Sequence, residues 1–169
     1  REYLNDYGSA ADLAQSLRNR LNTDGALILN YGGHASVQVW ATENIFDTGD
    51  VALLTNSAKL PFVVAMTCLN GFFGYPESWS FPSLAEALLR DSANGAVAAF
   101  MSAGMTEPEV QRVLDQALFE GIFERDYRTL GRAISYAKQE LVANSVAYGE
   151  TGKTFLLFGD PAMKLKVPL

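Results

Sequence analysis

Two reactive side chains stand out in this 169-residue sequence: His34 is the only histidine and Cys68 the only cysteine. Each closes an apolar run, ALILNYGGHA at residues 26–35 and LPFVVAMTC at residues 60–68. An imidazole takes up and returns protons near neutral pH, and a thiol becomes a strong nucleophile once its proton is removed. Taken singly, His34 reads as a loop or core histidine and Cys68 as a small buried hydrophobe. Set at the ends of two strands of one sheet, they read as the pair of a Cys-His hydrolase. Gly32 and Gly33 let a substrate backbone come close. Backbone N–H groups at a strand-to-loop turn can face a developing oxyanion.

Other patterns carry less. AYGETGKT, residues 147–154, resembles a relaxed phosphate-binding loop. Such a loop must follow a strand and open a helix, whereas here a helix precedes and the strand TFLLF follows. One histidine and one cysteine without ligand-like spacing do not predict a metal site. ESWSFPS, residues 77–83, offers Trp79 and Phe81 either as a lip beside the Cys68 loop or as ordinary loop packing. TEPE, residues 106–109, reads as a helix start, where carboxylates complement the dipole.

The two runs need a scaffold, and the rest of the chain supplies one. Leu13, Leu17 and Leu21 share one face of a helix that Asp24-Gly25 stops. ALILNY and LPFVVAMTC are strands with a short helix capped by Asp50 between them. Ser83 and Glu86 form a capping box ahead of LAEALL, and GAVAAFMSAG is a third strand. Thr106 and Glu109 predict a second box, opening a helix whose stripe is Val110, Val113, Leu114, Ala117, Leu118 and Ile122. A further helix runs through Leu130, Ile134, Ala137 and Leu141, and TFLLFGDP is the last strand. REYLNDYG at the amino terminus reads as the tail of a strand begun upstream.

Alternating elements with strands apolar on both faces predict an α/β three-layer sandwich around a mostly parallel sheet. No linker divides residues 1–169, so a single domain is expected. Functional residues of such sheets gather beyond the carboxyl ends of the strands. The net charge of −6 argues against nucleic acid or an anionic membrane as partner. No apolar run approaches the ~20 residues that span a bilayer.

NYGGHAS followed by TCLNGFF resembles the two catalytic blocks of the gingipain-like cysteine peptidases, peptidase family C25 of the caspase-like clan. The resemblance continues through PSLAEALLRDSANGAVAAFMSAG, LFEGIF and LLFGDPAMKL, covering about Tyr3 to Leu165. It implies a caspase-like fold with Cys68 as nucleophile and His34 as general base and acid. It implies an oxyanion hole from the backbone N–H groups of Cys68 and Ala35, the latter standing where the family usually has glycine. It places the acidic partner of the histidine and the acid that selects a basic P1 side chain upstream of Arg1. This chain is then the carboxyl-terminal part of the catalytic domain, its N-terminal strands supplied by a preceding segment or chain. The S1 preference is not written in these residues.

The function expected is a cysteine endopeptidase, acting on protein or peptide substrates through a thioester and needing no cofactor. Two alternatives use the same scaffold. One is a transpeptidase or maturation peptidase acting on exported proteins, and the other is a catalytically silent binding module. The resemblance alone implies a secreted or cell-surface protein of bacterial type.

Overall fold

The computed structural model describes residues 2–75, 81–90, 93–144 and 148–167. Its central sheet contains β1 (Ile28–Gly32), β4 (Phe62–Met66), β5 (Ala98–Ser102) and β6 (Phe155–Phe158), in that spatial order. β1, β4 and β5 run parallel, and β6 closes the far side antiparallel to β5. A two-stranded ribbon, β2 (Val39–Trp40) with β3 (Phe46–Asp47), follows β1. Neither ribbon strand was foreseen, because two residues are too short to show a period.

The interior strands β4 and β5 are buried at every position. Alternation of side chains then feeds two cores. Phe62, Val64, Ala98, Phe100 and Phe155 pack on one face against α4 (Pro108–Phe123) and α5 (Leu130–Asn144). Val63, Ala65, Ala99 and Met101 pack on the other against α1 (Ala10–Thr23), α2 (Thr48–Val51) and α3 (Leu84–Arg90). These are the expected three layers. The predicted stripes on α4 and α5 are buried in full. Burying each large apolar side chain contributes roughly 1.5–3 kcal/mol.

Helix starts divide into those read correctly and those misassigned. The Ser83–Glu86 box forms: Glu86 Oε2 accepts from Ser83 N at 2.9 Å, and Ser83 Oγ accepts from Glu86 N at 3.3 Å. Asp50 is not the cap of α2. Asp47, in extended conformation at the end of β3, caps Gly49 N and Asp50 N, while the Asp50 carboxylate returns to Asp47 N at 2.9 Å. The Thr106–Glu109 box does not form. Glu107 is the N-cap residue without a side-chain cap, Glu109 pairs with Arg112, and Thr106 is engaged elsewhere.

The strand expected at REYLNDYG is overturned. Leu4–Asp6 is a single 3-10 turn, because Asp6 N and Tyr7 N bond back to Tyr3 O and Leu4 O. Arg1 lies outside the described residues. β1 is therefore an edge strand among the described residues, and its burial is only partial. A groove of about 760 Å³ runs between its outer side and α1, lined by Leu13, Leu17, Leu29 and Trp40. The phosphate-loop look-alike is helical: Tyr148–Thr154 forms α6, directly ahead of β6, and Ala147 lies outside the described residues.

Candidate active site

The register of the sheet sets the site. Gly32 and Met66 are paired as the last residues of β1 and β4. Gly33 N continues the ladder by donating to Met66 O at 3.3 Å. His34 and Cys68 each follow two positions later, on adjacent loops at the same carboxyl rim. Adjacent strands lie about 4.8 Å apart, so the two loops leave the sheet side by side. The expectation that both residues sit beyond neighbouring strand ends holds. His34 is exposed and Cys68 is half-buried.

The histidine loop is held by its carbonyls. Tyr31 Oη donates to His34 O at 2.9 Å and Ala41 N donates to the same oxygen at 2.8 Å. Tyr31 is itself clamped, its ring stacked on Trp40 with centroids 4.4 Å apart. Burial and the nearby Glu43 carboxylate push the Tyr31 phenol above its ordinary pKa. A Cβ at Gly33 would lie 2.7 Å from Tyr31 Oη, so any larger residue there must displace the Tyr31 ring from its place on Trp40. Among the described residues no carboxylate forms an ion pair with the His34 imidazole.

The thiol sits on a tight turn. Cys68 O accepts from Asn70 N at 2.8 Å, and Leu69 between them has a left-handed φ of 62°. That conformation costs a non-glycine residue on the order of 1–2 kcal/mol. It is held because Leu69 N donates to Gly104 O at 3.1 Å and Gly71 N donates to Ser102 O at 2.8 Å. Asn70, with no exposed surface, fills the gap between this turn and the histidine loop.

The sulfur is turned toward a third loop, between β5 and α4. Thr106 N donates to Cys68 Sγ at 3.4 Å, and Sγ lies 3.5 Å from Thr106 O, in reach to donate its own proton. The Thr106 hydroxyl donates to Thr67 O at 3.2 Å and accepts from Gln111 Nε2 at 2.6 Å. This explains the missing capping box. Sequence reasoning assigned Thr106 to helix capping. The signal for its place here was that GAVAAFMSAG ends at the same rim as the other two strands. No hydrogen bond joins Sγ to the His34 imidazole in this arrangement.

The two amides expected to face an oxyanion are placed as follows. Ala35 pairs with Trp40 in an isolated bridge, and its φ is not positive, so alanine sits there without strain. Neither Ala35 N nor Cys68 N donates to an acceptor among the described residues. A shallow depression of about 500 Å³ opens beside His34 and Ala35, lined also by Gln38, Thr42, Asn44 and Asp47. Neither His34 nor Cys68 lines the larger groove along β1. Of the proposed lip, Phe81 is exposed and Trp79 lies outside the described residues. Among the described residues no cluster of three or more His, Cys, Asp or Glu could hold a metal ion. No described helix is long and apolar enough to cross a membrane.

With this geometry established, known proteins give it a context. The family model for peptidase family C25 matches residues 1–166. Gingipain R2 of Porphyromonas gingivalis is 30% identical over 151 residues, which cover 84% of this chain and 20% of that protein. Gingipain R1 of the same organism is also 30% identical over 151 residues, with 84% of this chain and 15% of that protein covered. The chain thus spans about a fifth or less of the length of these curated relatives. The crystal structure of the Arg-specific cysteine proteinase gingipain R superposes with a TM-score of 0.82 at 29% identity, over 95% of this chain and 37% of that one. The complex of P. gingivalis RgpB pro- and mature domains gives 0.80 at 28% identity, over 95% of this chain and 38% of that one. The α/β architecture is accordingly the caspase-like fold of the gingipains, and the chain belongs to peptidase family C25.

Proposed function

We propose that residues 1–169 form the carboxyl-terminal part of a cysteine endopeptidase domain in which Cys68 and His34 are the catalytic pair. The observation that carries this reading is the Gly32–Met66 register, which puts the two reactive side chains on adjacent loops of one rim. For the pair to act, Sγ must leave its Thr106 contacts for another staggered χ1 well when substrate binds. Catalytic contacts are commonly loose before substrate binds.

The steps follow from the groups present. His34 takes the thiol proton, and the thiolate attacks the scissile carbonyl carbon. The backbone N–H groups of Cys68 and Ala35 meet the resulting oxyanion. The imidazolium protonates the departing amine as the C–N bond breaks, leaving a thioester on Cys68. Water, deprotonated by His34, attacks that carbonyl, and the thiolate leaves. An amine in place of water gives transpeptidation. A preceding segment that supplies the histidine's acidic partner and the selectivity pocket belongs to the same proposal, as does secretion or display at a bacterial surface.

The test uses the full-length protein with a peptide panel varied at P1, arginine included because one relative is Arg specific. Iodoacetamide labels Cys68 and abolishes cleavage. Cys68→Ala and His34→Ala each lower kcat by about 10³-fold or more. Cleavage that survives Cys68→Ala overturns the assignment, and reactivity of Cys68 equal to that of free cysteine favours the silent module. An added amine acceptor separates transfer from hydrolysis by the mass of the product.

A further inference from the structure

Asn70 lies two residues beyond Cys68 and has no exposed surface. Its side chain is used at both ends. Nδ2 donates to Ser36 O at 2.6 Å, two residues beyond His34. Oδ1 accepts from the Thr67 hydroxyl at 3.0 Å, and that hydroxyl also lies 3.1 Å from Cys68 O. The main chain of Asn70 is fixed as well, its N–H on Cys68 O at 2.8 Å and its carbonyl accepting from Ala85 N at 3.0 Å. One dry side chain thus joins the turn that bears the thiol to the loop that bears the imidazole.

The chemistry of the position selects an amide. The site needs a donor and an acceptor at once, in a space closed to water. An ionised aspartate has no donor for Ser36 O, and an apolar residue leaves Ser36 O without this donor and the Thr67 hydroxyl with Cys68 O alone. Other bonds hold the histidine loop to the scaffold: Leu84 N on Val37 O at 2.9 Å and Gln38 Nε2 on Pro82 O at 3.2 Å. Those reach the start of α3. Among the described residues only the Asn70 side chain ties the loop directly to the nucleophile turn.

We propose that Asn70 is a positioning residue that sets the separation of the Cys68 thiol from the His34 imidazole, and with it the relation of the Ala35 and Cys68 amides. The proposal rests on the Cys-His reading above. A misplacement of about 1 Å costs near 10²-fold in rate when reacting groups must be aligned. Loss of the tie therefore acts on turnover rather than on substrate affinity.

The experiment compares the full-length wild-type protein with Asn70→Ala, Asn70→Asp, Thr67→Val and His34→Ala. It measures the rate of Cys68 alkylation by iodoacetamide against pH, kcat and KM on a cleaved peptide, and Tm. An imidazole close to the thiol keeps alkylation fast at low pH, so His34→Ala gives the uncoupled profile. Asn70→Ala and Asn70→Asp shift the wild-type profile toward that of His34→Ala. They lower kcat by about 10- to 100-fold and change KM less than about threefold. Thr67→Val, which frees Asn70 Oδ1 without changing shape, shifts it less in the same direction and decides the matter if the Asn70 variants do not fold. A folded Asn70→Ala whose lowered Tm accompanies an unchanged alkylation profile overturns the proposal and leaves the Cys-His pair standing. Coincident wild-type and His34→Ala profiles overturn the pair itself, and this inference with it.

Discussion

Thr106 holds the Cys68 sulfur from the β5 side of β4, while β1 and its histidine loop lie on the other side of that strand, with the Thr106 N–H 3.4 Å from Sγ and its carbonyl oxygen 3.5 Å away. The thiol in this structure is parked between a donor and an acceptor of the β5–α4 loop. That loop is steadied by the Thr106 hydroxyl, which links Thr67 O to Gln111. Thr106→Val keeps the main-chain contacts and the shape but removes the hydroxyl. It is expected to cost about 1 kcal/mol of stability and to lower kcat/KM by about 3- to 10-fold. Urea unfolding and steady-state kinetics measure the two effects, and values equal to wild type refute the role.

Leu69 yields a prediction whose sign runs against ordinary propensity. At a φ of 62°, glycine is free of the Cβ penalty that alanine pays in full. Both substitutions remove every atom of the leucine side chain beyond Cβ. Leu69→Gly is therefore expected to be more stable than Leu69→Ala by about 1 kcal/mol. Paired denaturation curves settle it, and an alanine variant as stable as the glycine one contradicts the strained turn.

Gly71 is constrained from two directions. A Cβ there would meet the Phe158 ring at 2.9 Å and the Met101 carbonyl oxygen at 3.0 Å, and the second is backbone of a buried strand. Gly71→Ala pushes the nucleophile turn off β5. A loss of about 1–3 kcal/mol is expected, together with a fall in activity larger than that of any substitution on the exposed face of α4. Thermal unfolding and peptide cleavage on the same preparation check both parts.

Asp47 carries the pH dependence that can be assigned a sign. Burial pushes its carboxyl up, but the Asn44 amide, the Asp50 and Gly49 N–H groups and the Arg18 charge together hold it below its ordinary value of 3.8. A carboxyl lowered on folding stabilises fully above its unfolded pKa, and that contribution is lost as pH falls through the lower folded value. Asp47→Ala is expected to cost about 1–2 kcal/mol at neutral pH through the lost cap, and the gap from wild type closes below pH 3.8. Urea titrations at pH 7 and in the acid range measure it. A gap that does not change with pH refutes the ionic part.

The long-range plan of the molecule was legible because it is written in periods. Phe62–Met66 and Ala98–Ser102 are apolar at nearly every position, and such runs are found inside parallel sheets. The stripes of α4 and α5 recur every three to four residues over several turns, which leaves little ambiguity. The placement of His34 and Cys68 at neighbouring strand ends was legible for a related reason, since each closes an apolar run, ALILNYGGHA and LPFVVAMTC. What escaped was local competition for hydrogen bonds. Thr106 and Glu109 have the spacing of a capping box, but the Thr106 oxygen accepts from Gln111 Nε2 instead of a first-turn N–H, and its hydroxyl proton goes across the fold to Thr67 O. The same holds for Asn70, whose side chain crosses to Ser36, and no periodicity marks such a partner. The β2–β3 ribbon is two residues deep and is organised by Trp40 against Phe46 rather than by a strand pattern.

The open side of β1 bears on how residues 1–169 behave when handled on their own. Among the described residues no strand pairs with the outer side of β1, and that edge, beside the partly exposed Leu27 and Leu29, is a template onto which a second copy can zip. Such a preparation is expected to thicken into oligomers as its concentration rises, through the rim opposite β6 rather than through the reactive loops. A lysine in place of Leu27 works as a gatekeeper against that stacking, and light scattering at matched concentrations shows the difference.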